Sequence, residues 1–175
     1  MRQLYLAATG QNRGKTTAAL GLLDGFIARD LRTGFLKPVG QRTVIDDGEP
    51  ADEDAVLMRA VFGLTEPYSI LSPVHIPRGF TKAYIAGEVV EDLGAKVVRA
   101  HSAFHDREVL LIEGTGHTGV GAVIGLSNAA VFLGLVADIM DRLGPYLESE
   151  AVDADTISRL RDGIALIERK TTSRA

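Results

Sequence analysis

Residues 4–17, which read LYLAATGQNRGKTT, decide the fold of this chain. They begin with an apolar run that predicts a β-strand and turn through Gly10 and Gly14. They end on the Lys-Thr-Thr sequence of residues 15–17, where a helical pattern of apolar residues starts. A strand, a tight glycine turn and a helix that opens on Lys-Thr are the context of a phosphate-binding loop.

The physical basis of such a loop is a concave anion site. Successive backbone N–H groups point inward, and the first helical turn adds unpaired N–H groups and the positive end of its dipole. We expect Lys15 to reach the β- and γ-phosphates and the Thr16 hydroxyl to ligate Mg²⁺. The predicted nucleotide-binding residues are Thr9, Gly10, Gln11, Asn12, Arg13, Gly14, Lys15, Thr16 and Thr17. The usual pattern G-x-x-x-x-G-K-[ST] has a glycine where this chain has Thr9.

Length and composition predict a single enzyme-like domain. The chain has 175 residues, 46% of them hydrophobic and 24% charged. Its net charge of −4 argues against a general affinity for nucleic acid. The absence of cysteine excludes disulfides, and no apolar run approaches the roughly 20 residues that span a bilayer. Together with an N-terminus unlike a signal peptide, this leads us to expect a cytoplasmic protein that binds neither nucleic acid nor a membrane.

The residues after the loop predict a βαβ unit. Apolar side chains recur at helical spacing from Lys15 to about Arg29, and residues 35–39, FLKPV, predict a second strand that Pro38 ends. Lys37 lies near the carboxyl end of this strand, the edge at which open α/β sheets bind ligands. It could therefore face phosphates or an anionic substrate, or it could be an ordinary solvated lysine.

An acidic run, DDGEPADED at residues 46–54, predicts a loop before the next helix. That helix is predicted over residues 54–62 and ends at Gly63. The carboxylates could simply be solvated and favour the helix N-terminus, as charge runs commonly do. Alternatively, one of them, such as Asp54, approaches a metal ion.

The middle of the chain offers weaker candidates. Residues 68–80 carry two prolines and predict an extended or looped segment, in which Arg78 could clamp a substrate anion or lie on the surface. Residues 88–105 predict a helix that carries His101 and His105 four residues apart. Since no third ligand is evident, we interpret them as surface or partner-satisfied histidines rather than a zinc site.

A third strand is predicted at residues 109–113, VLLIE, whose continuous apolar character suits a buried parallel strand. An acid at the end of such a strand matches the Walker B arrangement, so Glu113 would hold Mg²⁺ directly or through water. In the glycine-rich loop that follows, His117 could contact a phosphate or substrate or have no such role. Ser127 and Asn128 are predicted to cap the next helix.

Six segments carry a family resemblance when they are taken in order: AATGQNRGKTT, GFLKPVGQR, DEDAVL, SPVHIPRGF, LLIEGTGHTGVG and LSNA. They resemble the dethiobiotin synthetase-like P-loop proteins, and among these most resemble the branch related to the N-terminal region of some phosphate acetyltransferases. The resemblance covers roughly residues 3–131. We therefore expect a three-layer α/β P-loop fold with a mainly parallel sheet and a helical C-terminal tail, which uses ATP and Mg²⁺.

The resemblance also implies residue roles. The positions that match the synthetase's ATP–Mg²⁺ and substrate site are Lys15, Thr16, Lys37, Asp54 and Glu113. The resemblance thus implies that Lys15 and Lys37 are catalytic and that Thr16, Asp54 and Glu113 form the metal site. Two places depart from the synthetase pattern, namely the Gly-Gln-Arg sequence after Lys-Pro-Val and the Thr-Gly-His-Thr-Gly loop after Glu-Gly. Both would touch substrate, so the synthetase's diamine-acid substrate is not implied.

The tail departs further from the family. We expect a nucleotide-binding domain over residues 1–131 and a helical tail over residues 132–175 that packs on the same domain or on a partner. Residues 132–143 and 155–170 predict two helices separated by Gly144-Pro145. No strand signal follows, so the strands that supply the family's adenine pocket are expected to be missing. Weak base selectivity and a homodimer that covers the shortened sheet are the corresponding predictions.

Two classes of function remain open from the sequence. The first is an enzyme in which ATP phosphorylates a carboxylate or carbamate of an unknown small molecule and an amine captures the acyl phosphate. The second is a nucleotide-binding regulatory or interaction module without ligase activity. Conversion of a substrate with ADP release would favour the first, and tight binding without turnover would favour the second.

Overall fold

The structure is a computed structural model that describes residues 1–8, 10–116, 121–149, 158 and 162, with the backbone alone for 140–149. Its elements in chain order are β1 (Arg2–Leu6), α1 (Lys15–Ile27), β2 (Thr33–Leu36), β3 (Val39–Gly40), β4 (Thr43–Asp46), β5 (Glu49–Asp52), α2 (Glu53–Phe62), α3 (Tyr68–Leu71), β6 (Val74–His75), α4 (Phe80–Ile85), α5 (Leu93–Ser102), β7 (Val109–Glu113), a 3₁₀ turn (Ala122–Ile124) and α6 (Asn128–Ser149).

The main sheet is parallel and has the strand order β1-β7-β2. Its central strand β7 is buried along all five residues, as a strand covered on both faces should be. Leu111 pairs with Leu4 on one side and with Phe35 on the other, so the three strands end at the same edge. The predicted α/β P-loop fold with a mainly parallel sheet is therefore confirmed, and Glu113 and Lys37 meet at the carboxyl edge.

The prediction of an acidic loop at residues 46–54 is wrong. Strands β4 and β5 pair as an antiparallel hairpin, and α2 follows at once. The hairpin turns on Asp47 (φ 50°) and Gly48 (φ 81°), an Asp-Gly pair with two positive φ angles that suits a tight turn. The carboxylates of this run therefore lie on a hairpin and on the start of α2, and not in a solvated loop.

The helices bury apolar side chains in the same core as the sheet. Helix α1 buries Ala19 and Leu23, and α2 buries Ala55 and Met58. Helix α2 ends at Gly63 in the left-handed conformation, as predicted. The segment 68–80, predicted as extended or looped, instead contains the short helix α3 and strand β6, and α5 is shorter than the predicted helix 88–105.

The last described element is the long helix α6. It runs through Gly144 and Pro145 to Ser149, so the predicted break at this pair is wrong. A helix can continue past proline at the cost of one backbone hydrogen bond and a local bend. The predicted helix 155–170 lies outside the described residues except at 158 and 162, which are helical. Within the described part of the chain, no helix is long and apolar enough to cross a membrane.

Candidate functional site

The glycine-rich turn connects β1 to α1 and places the start of α1 at the carboxyl edge of the sheet. Gly14 precedes the helix in a left-handed conformation (φ 77°), which a residue with a Cβ rarely adopts. Asn12 is also left-handed, with φ 55°. Lys15 and Thr16 are half-buried in the first turn, while the turn itself is exposed to solvent. This geometry leaves backbone N–H groups near the start of the helix, where anions bind.

A cleft of about 490 Å³ opens over this turn. The described residues that line it come from the turn, the segment after β2, the hairpin, α2 and the end of β7: Gln11, Asn12, Arg13, Gly14, Lys15, Thr16, Thr17, Lys37, Val39, Gln41, Arg42, Asp52, Asp54, Glu113, Thr115 and Gly116. The structure thus brings the predicted residues Lys15, Thr16, Lys37, Asp54 and Glu113 together. Of the other predicted residues, Gly10 is absent from this lining, and Thr9 and His117 lie outside the described residues.

The floor of the cleft is an ion triad. Lys37 Nζ lies 2.5 Å from Asp54 Oδ2 and 3.0 Å from Glu113 Oε1. Lys37 follows β2, Glu113 ends β7 and Asp54 is the second residue of α2, so three separate elements converge here. Lys37 is 5% exposed and Glu113 is 0% exposed, which makes the lysine a buried structural cation rather than a solvated one. The solvated interpretation of Lys37 is therefore excluded.

Thr16 joins both carboxylates to the phosphate loop. Its hydroxyl Oγ1 lies 3.0 Å from Asp54 Oδ1 and 3.3 Å from Glu113 Oε1. A hydroxyl has one proton, so it donates to one carboxylate at a time. Three oxygen-bearing side chains of the kind that magnesium prefers consequently meet at the start of α1.

The charges in this cluster shift one another's pKa values. Burial lowers the pKa of Lys37, but attraction to Glu113, Asp52 and Asp54 outweighs it, so the pKa of Lys37 lies above its usual value. Burial raises the pKa of Glu113 despite the nearby lysine. For the more exposed Asp54, the charge and hydrogen bonds of Lys37 and a bond from Thr16 overcome burial and lower the pKa. Lys37 is therefore a firmly protonated cation, and Asp54 a firmly ionised carboxylate.

Asp52 is a site residue that the sequence analysis did not single out. It is 2% exposed, and its Oδ2 accepts hydrogen bonds from the backbone N–H groups of Gln41 (3.0 Å) and Arg42 (3.3 Å). Its Oδ1 accepts the N–H of Asp54 at 3.0 Å and caps α2. One carboxylate thereby fixes both the segment after β3 and the helix that carries Asp54. The sequence contains a signal for this role, because an aspartate two residues before the predicted helix start at Asp54 is an N-cap candidate.

The loop after β7 is held by Asn128. Asn128 Oδ1 accepts from the Thr115 N–H at 2.8 Å and lies 3.0 Å from the Thr115 hydroxyl, while its Nδ2 donates to the Thr115 carbonyl at 3.2 Å. The predicted helix cap is Ser127 alone, whose Oγ accepts the N–H of Ala130 at 3.2 Å. Asn128 therefore positions Thr115 in the cleft rather than capping the helix.

Three other candidates lie away from the cleft. Arg78 is exposed and does not line it. His105 is exposed, whereas His101 is fully buried, with Nδ1 3.8 Å from Asp138 Oδ2, so for His101 the surface interpretation is wrong and the structure agrees with the partner-satisfied one. In the described part of the chain, no group of three or more His, Cys, Asp or Glu side chains could hold a metal ion.

Comparisons with known proteins agree with this geometry. The chain is 32% identical over 141 residues to a phosphate acetyltransferase of Deinococcus radiodurans, a match that covers 79% of this chain and 18% of that protein. It is 32% identical over 121 residues to an ATP-dependent dethiobiotin synthetase of Aliivibrio fischeri, covering 64% of this chain and 50% of that protein. The chain thus spans only 18% of the length of the first of these curated relatives and 50% of the second.

The resemblance to dethiobiotin synthetases and phosphate acetyltransferases is therefore confirmed. Residues 2–140 also match the protein family described as AAA domain. These residues contain the phosphate loop, the whole parallel sheet and every residue that lines the cleft. Since the match extends over most of the chain, the protein belongs to this family of AAA domains.

Proposed function

We propose that the protein binds Mg²⁺–ATP in this cleft and uses it to phosphorylate a carboxylate or carbamate, which an amine then captures. One observation carries the proposal, namely the convergence of Lys37, Asp54, Glu113 and Thr16 beneath the phosphate loop. Acceptor activation by phosphoryl transfer needs positioned cations and a magnesium site more than it needs a covalent nucleophile. The name of the A. fischeri relative, an ATP-dependent synthetase, supports the same chemistry.

The donor set fits magnesium. Glu113 Oε2 is buried and has no hydrogen-bond partner among the described residues, and a buried carboxylate oxygen in this state is costly unless a ligand satisfies it. Thr16 and Asp54 add a hydroxyl and an ionised carboxylate close by. These three residues would hold the ion directly or through water, as in other P-loop sites. When bound, the ion would supply positive charge next to the β- and γ-phosphates.

The lysines supply the remaining positive charge. Lys15 lies in the first turn of α1 and is placed to bind the phosphates together with the backbone N–H groups of the turn. Lys37 stays protonated because its raised pKa lies far above neutral pH. Its fixed ammonium group would stabilise charge on the transferring phosphoryl group without further reorganisation.

Calorimetry tests nucleotide binding first. Lys15→Ala should weaken the affinity for Mg²⁺–ATP about a hundredfold, the equivalent of one or two charge-assisted hydrogen bonds. Lys82→Ala, in the exposed part of α4, is the matched control and should bind like the wild type. Unchanged binding in Lys15→Ala would remove the phosphate-loop assignment.

A turnover screen then tests the chemistry. ADP release should be measured across candidate carboxylates and amines with bicarbonate present. Substrate-dependent release that Lys37→Ala abolishes would support phosphoryl transfer. Tight nucleotide binding with negligible release would instead favour a nucleotide-binding regulatory module.

We also propose that the protein forms a homodimer through the β1 side of the sheet. In the described part of the chain β1 pairs only with β7, and Leu4 and Phe132 nearby are 37% and 47% exposed. Unpaired strand edges with apolar neighbours favour association. Light scattering that gives a monomer mass at micromolar concentration would contradict this proposal.

Weak base selectivity is the last part of the proposal. The described residues that line the cleft are suited to phosphates and metal, and Val39 is the one aliphatic side chain among them apart from lysine and arginine stems. Discrimination between bases needs placed polar groups that reject the wrong one. We expect ATP, GTP and CTP to bind within about tenfold of one another, and a strong preference for ATP would refute this.

A further inference from the structure

Residues 39–42 form a wall of the cleft that comes from a different part of the chain than the phosphate loop. Val39, Gln41 and Arg42 all line the cleft. The short strand β3 holds the start of this wall by pairing with β6, and the carbonyl of Gly40 accepts the N–H of Ile76 at 2.9 Å. The start of this wall, Val39 and Gly40, is therefore buried and paired, and it carries the more exposed Gln41 and Arg42.

Asp52 fixes the same wall from beneath. Its carboxylate accepts the backbone N–H groups of Gln41 and Arg42, so the backbone of both residues is held by a buried anchor. A Cβ on Gly40 would lie 2.7 Å from Asp52 Oδ2, which shows how closely the backbone approaches the carboxylate. A backbone held in this way can present side chains to a ligand without a further loss of backbone entropy on binding.

The guanidinium group of Arg42 is only loosely engaged. It lies 3.5 Å from Asn12 Oδ1 and 3.5 Å from Glu53 Oε2, both at the outer limit of a hydrogen bond. Its side chain is 63% exposed, so the ion pair with Glu53 contributes little. A ligand oxyanion could replace both contacts at shorter distances, with the paired N–H donors that arginine offers.

The other cations of the cleft are already engaged or belong to the phosphate loop. Lys37 is shared by two carboxylates at 2.5 and 3.0 Å. Arg13 folds back over the turn, with its Nε 3.4 Å from the Cβ position of Gly10. Lys15 belongs to the first turn of α1. Arg42 is therefore the described cation of this cleft that is best placed to bind a group other than the nucleotide.

We propose that the acceptor carries a second anionic group, a carboxylate or phosphate that is not itself phosphorylated, and that Arg42 binds this group. The inference rests on the proposed function, since it names the substrate class of the same cleft. Gln41, half-buried beside Arg42, offers an amide that can donate a further hydrogen bond to the same oxyanion. A monoanionic or neutral acceptor would leave Arg42 without a ligand and should bind more weakly.

Calorimetry on the full chain tests this proposal in two steps. Affinity for Mg²⁺ with the non-hydrolysable analogue AMPPNP is measured first. The saturated protein is then titrated with succinate, with inorganic phosphate and with neutral succinamide. Wild type should bind succinate or phosphate, Arg42→Ala should weaken that binding at least about tenfold, and Arg42→Lys should weaken it less. Succinamide should bind to none of the variants.

The matched control is Arg32→Ala. Arg32 is as exposed as Arg42, 65% against 63%, and it also pairs with a glutamate, at 3.4 Å, but it does not line the cleft. This control should bind the anions like the wild type. Nucleotide affinity should change less than about threefold in Arg42→Ala.

Three results would overturn the proposal: no anion binding by wild type, equal anion binding by wild type and Arg42→Ala, or a loss of nucleotide affinity in Arg42→Ala as large as in Lys15→Ala. The last result would place Arg42 in the nucleotide site. Failure of wild type to bind nucleotide would refute the proposed function instead, and the same titrations on nucleotide-free protein would still decide whether Arg42 binds an oxyanion.

Discussion

Replacement of Lys37 by methionine removes the cation that two carboxylates share. The ammonium group lies 2.5 Å from Asp54 and 3.0 Å from Glu113, and methionine keeps a similar volume without charge. Glu113 is fully buried, so water cannot take the place of the lysine there. Asp54 is 28% exposed in its side chain and can regain part of its hydration. The cost of the substitution therefore falls mainly on Glu113.

The expected loss is about 3 kcal/mol in the free energy of unfolding. Removal of one partner from a buried pair costs roughly 3–5 kcal/mol, and the partial exposure of Asp54 favours the lower end of this range. For a chain of this size a loss of about 3 kcal/mol lowers Tm by roughly 6–12 °C. Such a change is large compared with the error of a urea titration.

Urea unfolding in EDTA at about pH 7.5 measures this loss, and a second variant identifies its cause. Adding Glu113→Gln to Lys37→Met should recover most of the stability, because the buried charge is then gone as well. Burial already raises the pKa of Glu113 above its usual value beside the lysine. Without Lys37, folding should take up a proton at Glu113, so stability falls as pH rises and the loss should be smaller at about pH 5 than at about pH 7.5.

Two results would refute this reasoning. A loss below about 1 kcal/mol in Lys37→Met would mean that Glu113 finds another partner or is not buried in solution. Additive losses in the double variant would mean that Lys37 and Glu113 do not depend on each other.

Three further predictions concern the surroundings of the cleft. Gly40→Ala should lower the free energy of unfolding in urea by about 1–3 kcal/mol, because its Cβ would lie 2.7 Å from Asp52. Gly21→Ala has no atom within 4 Å of its Cβ position and should lose no stability. Equal effects of the two substitutions would contradict the packing argument. Burial lowers the pKa of His75, so the unfolded chain takes up the proton first and native stability should fall as pH drops below about 6.5. The urea midpoints at about pH 7.5 and 5.5 should therefore differ less in His75→Gln than in the wild type. An equal difference in the two proteins would reject this prediction. Asn128→Leu removes the acceptor of a buried backbone N–H and should lower the urea midpoint by the equivalent of about 1–3 kcal/mol, and a wild-type midpoint would count against it.

The sequence predicts the centre of the site well because each residue there lies at the end of an element. Lys37 and Glu113 follow apolar strand patterns, and parallel strands end at one edge of a sheet. Thr16 and Asp54 start helices that connect or follow those strands. The family resemblance selected Asp54 among many acidic residues, a choice that the spacing alone left open. The roles of these residues in binding ATP and magnesium stay predictions.

The sequence analysis does not predict the hairpin, because the acidic run at residues 46–54 indicates a solvated loop more strongly than Asp47-Gly48 indicates a turn. An acidic run is commonly solvated, whereas Asp47-Gly48 between two short segments is also a hairpin signal. A loop at residues 46–54 gives no reason to single out Asp52 among its acidic residues, whereas the hairpin buries it.

His101 and α6 show two further limits. His101 lies four residues after the buried Val97, so helical spacing could have predicted its burial, but the ionisable side chain suggested the surface. At Gly144-Pro145 the local preference against helix predicted a break, and the backbone of α6 continues through it. Local propensity is a weak guide where the surrounding helix is long.

Asp52 separates two features of the cleft wall formed by residues 39–42, namely its fixed backbone and its exchangeable side chains. At residues 41 and 42 the carboxylate accepts backbone N–H groups, so these bonds do not depend on which side chains the two residues carry. The same carboxylate caps the helix that carries Asp54 and so holds that residue in place at the cleft. Substrate preference could therefore be redesigned by exchanging Gln41 and Arg42 on an unchanged backbone. Such a library would keep the backbone of residues 39–42 in place as long as Gly40 and Asp52 are retained.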